Sequence, residues 1–431
     1  MKYINSEKTG PVDKEKLWCK INPDKPYDDV RFRKYTSDLL KLLEGFLSQQ
    51  IYERDPAHQA SFLIEAVGEK KLEKLYKTAT ESSKRVLNKH QKPSSISYYH
   101  QYKIERNLFD LTDFEIKRAD KSNVEEINRH LDIFYLSEKL KFYNYILSQK
   151  QITQHKYEVN LIEPILKELQ DHMYLEVPLV SLYFQACLTL IEPENEQHFQ
   201  KLKLLLKQFS TEIPEKEARD DLYNTAQNYC IIKMNQGNQA YLKELFTLFQ
   251  DMVNNKLVIA NEKITPWYYR NIVTVALRLG EYDWIEKFIE DFKNYLSIEY
   301  RENAYTFSKA QLYFYRKDFD KVIQLLREVE YDDFTYNLNS KVMLLFTYYE
   351  TDEIEPLYSL FDSFRVYLNR SKKIPDHRKE TYKNLIKYTK KLTKVIPSDN
   401  KSIEKLKIEI ESNPKIASKS WLKQKIAELE N

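Results

Sequence analysis

The stretch that decides the fold is residues 267–289, WYYRNIVTVALRLGEYDWIEKFI. Its apolar residues recur at helical spacing on both sides of the turn formed by Leu279, Gly280 and Glu281, which indicates two helices joined by a tight connection. The second helix begins at Tyr282, and an aromatic residue or an isoleucine opens a similar segment at five other places. These six landmarks, spaced by 42, 42, 41, 37 and 35 residues, are Tyr157, Phe199, Tyr241, Tyr282, Phe319 and Ile354.

Recurrence at about this length is typical of helix pairs that cannot bury their own apolar faces and therefore stack on their neighbours. After four of the landmarks, apolar residues follow at the third and seventh positions, which lie on one side of a helix. We predict that this side faces the core. The eight residues concerned are Leu202, Leu206, Ile285, Ile289, Val322, Leu326, Leu357 and Phe361.

The composition favours helices over sheets independently of this repeat. The chain of 431 residues contains only 5 glycines, the residue that hairpin turns, bulges and phosphate-binding loops most often require. With 42% hydrophobic and 31% charged residues, the sequence has ample apolar material for a large core. We therefore predict an all-α fold with no β-sheet.

Residues 279–282 combine a Gly-Glu turn with a following tyrosine, and residues 317–319 repeat this arrangement as Lys-Asp-Phe. Ala310 and Tyr313 supply a small and an aromatic position in the preceding helix. With the apolar positions above, residues 265–370 resemble the tetratricopeptide repeat family. The resemblance implies a right-handed solenoid of antiparallel helix pairs. Two further segments, 347–374 and 418–429, are similar to uncharacterised helical-repeat proteins of the Bacteroidota.

We predict four regions along the chain. Residues 1–27 are polar and contain three prolines, so they are expected to form an extended lead-in with Trp18 docking on the first helix. Residues 28–127 are expected to form an irregular helical region, residues 128–396 the tetratricopeptide-like repeats, and residues 397–431 helices that cap the last apolar face. The cap is expected to consist of Trp421, Leu422, Ile426 and Leu429.

The resemblance implies that a partner binds the concave surface formed by the first helix of each pair. The family's inner-face positions carry aromatic, polar and cationic residues in this chain, which suits an extended peptide with apolar anchors and some acidic residues. The alternative is that several of these aromatic residues simply pack between helices. The nine positions are Arg270, Thr274, Arg278, Phe307, Gln311, Phe314, Asn339, Phe346 and Tyr349.

Positive charge is concentrated towards the end of the chain. Residues 365–394 carry eleven Lys or Arg against two acidic residues, in a chain whose net charge is +3. A helix beginning near Asp376 would present lysines on one face and apolar residues on the other. Such a face is usually solvated, and the alternative is salt-sensitive binding to nucleic acid. The lysines of this basic stripe are Lys379, Lys383, Lys387, Lys391 and Lys394.

Glu168, His172 and Glu176 are spaced four residues apart, so a helix would place three possible metal ligands on one face. A solvated helix face explains the same spacing, and a metal would need a further ligand from elsewhere. The sequence contains no Gly-rich phosphate loop, zinc-protease motif or serine-hydrolase motif. We therefore predict no catalytic site, no metal and no cofactor, and expect that the protein is not an enzyme.

Cys19, Cys187 and Cys230 are far apart and form no Cys-x-x-Cys pair, which favours a reducing compartment. The sequence shows neither a secretory signal nor an uncharged apolar run of about 18 residues. These features predict a cytoplasmic protein that does not bind membranes. With the repeats, they favour a scaffold or adaptor that binds another protein or peptide, with nucleic acid as the alternative partner.

Overall fold

The computed structural model describes residues 13–88, 92–112, 123–150, 157–327, 334–396 and 399–430. Within those residues the regular secondary structure is helical apart from one short two-stranded sheet. The prediction of a helical fold is therefore confirmed. The chain divides into two compact units, residues 1–214 and 215–431. None of the described helices is long and apolar enough to cross a membrane.

The first unit contains nine described α-helices between Lys14 and Phe209. Two 3-10 turns, Leu169–Asp171 and Met173–Glu176, lie between the seventh and the eighth helix. The helices are α1 (Lys14–Ile21), α2 (Asp29–Arg54), α3 (Pro56–Glu69), α4 (Glu73–Asn88), α5 (Ser95–Thr112), α6 (Val124–Lys150), α7 (Ile162–Glu168), α8 (Pro178–Ile191) and α9 (Glu196–Phe209).

The second unit opens with a π-helical segment, Glu217–Tyr223, that continues directly into its first α-helix. A 3-10 turn, Lys293–Tyr295, follows α13. The described helices are α10 (Asn224–Asn235), α11 (Tyr241–Asn254), α12 (Pro266–Leu279), α13 (Tyr282–Phe292), α14 (Ile298–Tyr315), α15 (Phe319–Leu326), α16 (Phe334–Glu350), α17 (Ile354–Arg370), α18 (Asp376–Leu392), α19 (Asn400–Ser412) and α20 (Lys419–Glu430).

Four of the six landmarks are the first residues of helices α11, α13, α15 and α17. Phe199 lies in the first turn of α9, whereas Tyr157 lies outside any helix, so the landmark interpretation was wrong for Tyr157. All eight core positions predicted from the landmarks are at most 2% exposed. The apolar side of these helices is therefore correctly predicted.

Within the second unit, consecutive helices pack on each other from α10 to α18, and α14 also packs on both α12 and α16. The first helices of three successive pairs are thus neighbours. The first helix of each pair ends in a common turn, in which one residue with positive φ lets the next backbone N–H reach a carbonyl five residues earlier. The four donor and acceptor pairs are Asn238 and Lys233, Glu281 and Ala276, Asp318 and Tyr313, and Glu353 and Tyr348, at 2.9–3.0 Å.

A β-hairpin joins α11 to α12 and contradicts the prediction of no β-sheet. Strands β1 (Ile259–Ala260) and β2 (Lys263–Ile264) pair antiparallel. The two residues between them, Asn261 and Glu262, both have positive φ, at 50° and 61°. This is the backbone that a two-residue hairpin of type I′ requires. The prediction was wrong because it treated scarce glycine as the limit on such turns, although Asn also tolerates positive φ.

Two predicted regions are also corrected. The lead-in is not extended throughout, because residues 14–21 form α1. Trp18 is buried as predicted against the start of α2, where its ring stacks on Tyr35 at 5.9 Å and its Nε1 donates to the Lys25 carbonyl at 3.0 Å. The predicted boundary between residues 127 and 128 lies inside α6, so that helix is not divided between two regions.

The C-terminal helices join the core of the second unit as expected. Leu422 and Ile426 of α20 are at most 2% exposed, and Trp421 and Leu429 pack against the same apolar cluster. Residues 397–398, where this predicted region begins, lie outside the described residues. Residues of the last two helices therefore belong to the same apolar cluster as the preceding helices of the second unit.

Candidate binding site

A surface cavity of about 180 Å³ lies where the N-terminal turns of α12 and α16 approach α14. It is lined by side chains from all three helices. Aromatic rings and one guanidinium make up most of the lining, and the remainder is an amide, a hydroxyl and a proline ring. The residues are Pro266, Trp267 and Arg270 of α12, Tyr300 of α14, and Thr335, Tyr336 and Asn339 of α16.

The residue at which α12 begins determines which of its side chains line this cavity. The Thr265 hydroxyl accepts a hydrogen bond from the Tyr268 backbone N–H at 3.2 Å, and Pro266 occupies the first helical position. Trp267 and Arg270 follow at a spacing of three residues and therefore share one face. Because Tyr268 and Tyr269 turn inward and are buried, Trp267 is left 46% exposed at the rim.

The lining of α16 repeats the spacing of α12. Thr335, Tyr336 and Asn339 stand in the same relation as Pro266, Trp267 and Arg270. Tyr336 is held edge-on against Phe307 at 5.5 Å between ring centres. This packing holds Tyr336 in the cavity lining, to which the exposed ring of Trp267 also belongs.

The arrangement suits a ligand that is both apolar and anionic. Arg270 is exposed, and no described carboxylate pairs with it. A guanidinium binds carboxylates through two parallel hydrogen bonds, and tryptophan and tyrosine faces hold apolar side chains. Asn339 can donate to and accept from a peptide backbone beside them. The cavity can therefore hold an acidic side chain next to an apolar one.

Of the nine predicted groove residues, the structure brings Arg270 and Asn339 together in this cavity. Thr274 is half-buried one turn further along α12, and its hydroxyl donates to the Arg270 carbonyl at 2.9 Å. Arg278 is exposed at the end of α12, where its Nη2 donates to Gln239 Oε1 at 3.3 Å. Thr274 and Arg278 do not line the cavity.

Two predicted groove residues on α14 face inward. Phe307 is 3% exposed and belongs to the apolar cluster of the second unit, so the prediction that it contacts a partner is wrong. Its ring is needed to pack α14 against α16, which is the alternative considered for these aromatics. Gln311 is half-buried, and its Oε1 is buried without a hydrogen bond.

Two of the other three groove residues contact α20, and the third packs on one of them. Phe346 stacks on Trp421 of α20 with ring centres 4.1 Å apart, and Tyr349 meets the same indole edge-on at 5.2 Å. Phe314 packs against Phe346 at 6.4 Å. This end of the predicted groove is therefore partly covered by the chain itself, and these three aromatic side chains are half-buried.

An ion pair holds α20 in that position. The Lys425 ammonium is 2.6 Å from Glu350 of α16 and 2.7 Å from Glu428, and its side chain is only 7% exposed. Burial of the ammonium lowers the pKa of Lys425, but the hydrogen bonds to the two carboxylates outweigh this effect and raise the pKa above its ordinary value. The lysine therefore stays charged between its two partners.

The basic stripe is partly neutralised in the fold. Lys379 lies 3.1 Å from Asp376, and Lys391 pairs with Glu409 of α19. The hydrogen bond from Lys391 lowers the pKa of Glu409, which keeps that carboxylate ionised. The remaining three lysines are exposed and form no ion pair with a described residue: Lys383, Lys387 and Lys394.

The predicted face of Glu168, His172 and Glu176 does not form. Helix α7 ends at Glu168, and His172 has extended backbone between two 3-10 turns. His172 Nδ1 accepts from the Tyr174 backbone N–H at 3.3 Å, so this ring caps a turn. No group of three or more potential metal-ligating side chains occurs among the described residues.

Sequence reasoning missed five of the seven cavity residues. Trp267 precedes Arg270 by three residues, and Tyr336 precedes Asn339 by three, so the helix spacing of the known positions pointed to both. Tyr300 lies on a different helix and had no such local signal. Comparison of the chain with protein-family models, with curated proteins and with solved structures found no match.

Proposed function

We propose that this protein is a non-catalytic scaffold or adaptor that binds an extended peptide segment of another protein. In this proposal the helix pairs form a right-handed tetratricopeptide-like solenoid of antiparallel pairs, and the peptide binds across α12, α14 and α16. Its acidic residue pairs with Arg270, and its apolar anchors pack on Trp267 and Tyr300. The peptide is a segment of a larger partner protein, because further contacts made by that protein raise the affinity of a short segment that binds weakly alone.

One observation carries the proposal. The exposed cation, the exposed rings and the cavity between them come from the first helices of three successive pairs, which are neighbours in the fold. This is where a tetratricopeptide-like solenoid presents its concave face. The common turn after α10, α12, α14 and α16 further supports a regular repeat, because it joins each first helix to its second in the same backbone conformation.

The test uses the full chain and a panel of fluorescent peptides that combine Asp or Glu with Phe or Leu. We expect binding by fluorescence anisotropy, and loss of binding when the acidic residues become Asn or Gln. Arg270→Glu should weaken binding at least about tenfold, as expected for one lost charged hydrogen bond. Trp267→Ala should weaken it by a similar factor.

Lys287→Glu is the matched control, because Lys287 is also exposed but lies on α13 and does not line the cavity. It makes the same change of charge as Arg270→Glu and should leave peptide binding unchanged. Equal losses in the two variants would show that only net charge matters. Failure of every acidic apolar peptide to bind the wild-type chain would overturn the proposed ligand chemistry.

The proposal includes a cytoplasmic location. No disulfide joins the three cysteines in the described part of the chain, and Cys187 and Cys230 are buried. Burial raises the pKa of the Cys187 thiol, which keeps it protonated and unreactive. A fluorescent fusion expressed in the native cell would test the location, and recovery in a secreted fraction would contradict it.

A further inference from the structure

Helix α2 carries more exposed large apolar side chains than any other described helix. Its 26 residues extend over about 39 Å at 1.5 Å per residue. Phe32 is the only residue of α2 that is buried. Six large apolar side chains between 39 and 51 remain between 43% and 72% exposed: Leu39, Leu40, Leu42, Phe46, Leu47 and Ile51. We call these six side chains the apolar face of α2.

The described fold covers α2 mainly near its two ends. At the N-terminal end Trp18 stacks on Tyr35, and near the C-terminal end Gln59 of α3 donates to the Tyr52 carbonyl at 3.3 Å. Between these contacts Leu42 is 72% exposed. A helix of this length in water needs an apolar partner, because helical stability in proteins comes mainly from packing of an apolar face.

We propose that the apolar face of α2 binds the same face of a second copy of this chain, which makes the protein a homodimer. This interface lies in the first unit and goes beyond the proposed peptide site, which lies in the second. Two-fold dimers are the commonest oligomers, and a two-fold interface requires a surface that is complementary to itself. An apolar helix stripe meets this requirement.

The exposed area agrees with a dimer interface. The six side chains leave open the equivalent of about three and a half large residues, or roughly 500 Å² at about 150 Å² each, the lower end of the aromatic range because five of the six are Leu or Ile. One partner of a standard protein interface contributes about 800 Å² in total, of which a little more than half is apolar. The largest apolar patch on a typical monomer is about 300–600 Å², so the apolar face of α2 lies towards the upper end of that range. The face therefore supplies about the apolar area that one subunit of a stable pair buries.

The spacing along α2 also favours a helix partner. Tyr35, Leu39, Leu42 and Phe46 follow one another at steps of four, three and four residues, which is the apolar repeat of a two-helix coiled coil. Gly45 stands beside this stripe, and a Cβ placed there would meet nothing within 4 Å. Glycine is unfavourable inside a helix, but it allows a second backbone to approach closely.

The charge of α2 argues for a protein partner and against a lipid surface. Residues 29–54 contain five basic and four acidic residues, a net charge of +1. Lys34 and Lys41 alternate with Asp38 and Glu44 on the side opposite the apolar face. Helices that lie on membranes need a polar face rich in Lys and Arg. Two nearly neutral α2 helices can approach without strong repulsion.

The test measures the mass of the full chain by light scattering after size exclusion over a range of concentrations. We expect twice the chain mass for the wild type. The double variant Leu42→Glu and Phe46→Glu should weaken dimerisation at least about a hundredfold, because two buried charges per chain lack partners. The control, Ser37→Glu with Ser48→Glu, makes the same charge change on the opposite side of α2 and should remain dimeric.

A second measurement keeps the proposal open to refutation if the double variant does not fold. A Leu42→Cys thiol should be protected from maleimide more strongly as protein concentration rises, whereas a Ser48→Cys thiol should react at the same rate throughout. A wild-type chain that is monomeric up to its solubility limit would overturn the proposal. So would a dimer that survives in a folded Leu42→Glu and Phe46→Glu variant. Peptide binding by the second unit should be retained in the monomeric variant.

Discussion

The face that α12, α14 and α16 form is open at one end and covered at the other. At the open end Trp267 is 46% exposed beside Arg270, and at the covered end Trp421 of α20 stacks on Phe346. Aromatic side chains on first helices occur at both ends. The comparison shows that the same residue type is a binding candidate or a packing residue according to whether a later helix returns to cover it.

The largest expected effect tests this comparison with one substitution at each end. Trp421→Ala removes a ring that contacts both Phe346 and Tyr349, and should lower the free energy of unfolding by about 2–3 kcal/mol. Trp267→Ala removes an exposed ring and should cost less than about 1 kcal/mol. Urea titration of both variants gives the two values, and equal losses would break the comparison.

Trp421→Phe sharpens the same test. The indole Nε1 of Trp421 is buried without a hydrogen bond, so the tryptophan leaves one donor unsatisfied. Phenylalanine keeps part of the stacking on Phe346 and removes that donor. We expect Trp421→Phe to be more stable than Trp421→Ala, and a Phe variant as unstable as the Ala variant would show that stacking does not hold α20.

The next effect concerns the ion pair at the covered end. Glu350→Gln leaves the Lys425 ammonium, whose side chain is 7% exposed, with Glu428 alone and should cost about 2 kcal/mol. Glu428 is 51% exposed, so Glu428→Gln should cost less. Thermal unfolding of the two variants at neutral pH measures the difference. A larger loss in the Glu428 variant would contradict the assigned roles.

A smaller effect, dependent on pH, is expected between the two ends, where α13 packs on α14. Lys309 lies 2.8 Å from Glu290, and its hydrogen bond is the main cause that lowers the pKa of Glu290 to about 2. A lowered carboxyl pKa stabilises the fold at pH values above the ordinary pKa of Glu and stops doing so as the pH falls through the folded value.

Glu290→Gln should therefore be less stable than the wild type near pH 6, by less than the loss in Glu350→Gln, because Glu290 is 38% exposed. The gap should narrow as the pH falls from about 4.5 towards 2. Urea titrations at a series of pH values measure this gap. A gap independent of pH would show that the Glu290 charge does not contribute to stability.

The smallest effect on stability is expected for the basic stripe. Lys383→Glu, Lys387→Glu and Lys394→Glu together should leave the unfolding free energy within about 0.5 kcal/mol, because all three side chains are exposed. These three lysines can neutralise at most three phosphates. Binding of nucleic acid through the stripe would therefore lower the logarithm of the binding constant by no more than about 3 for each tenfold rise in salt concentration. Retention on DNA with a slope of this size, lost in this variant, would favour the alternative partner.

The sequence predicted the regular helices of the second unit well because their signals are local. Ile285 and Ile289 are buried where their spacing from Tyr282 placed them, and Gly280 has the positive φ that its turn position indicated. The hairpin at Asn261 and Glu262 was not predicted because only glycine was considered as a residue that can adopt the positive φ of a tight turn. These signals extend over one turn or one helix.

The site was predicted only in part because its members come from separate helices. Arg270 and Asn339 were found from repeat positions, but Tyr300 reaches the cavity through packing of α14 that no local pattern contains. Phe307 occupies an inner-face position and still turns into the core. The return of α20 across α16 depends on contacts about 75 residues apart in sequence, which periodicity cannot show.

The common turn at the end of each first helix means that the connections within these helix pairs share one backbone conformation. We call these connections joints. Gly237, Gly280, Lys317 and Asp352 adopt positive φ at these joints although their side chains differ. Every first helix therefore delivers the chain to its second helix in the same direction. A gene duplication or deletion that begins and ends at two of these joints would insert or remove whole helix pairs in phase, so the number of pairs can change while each connection keeps its geometry.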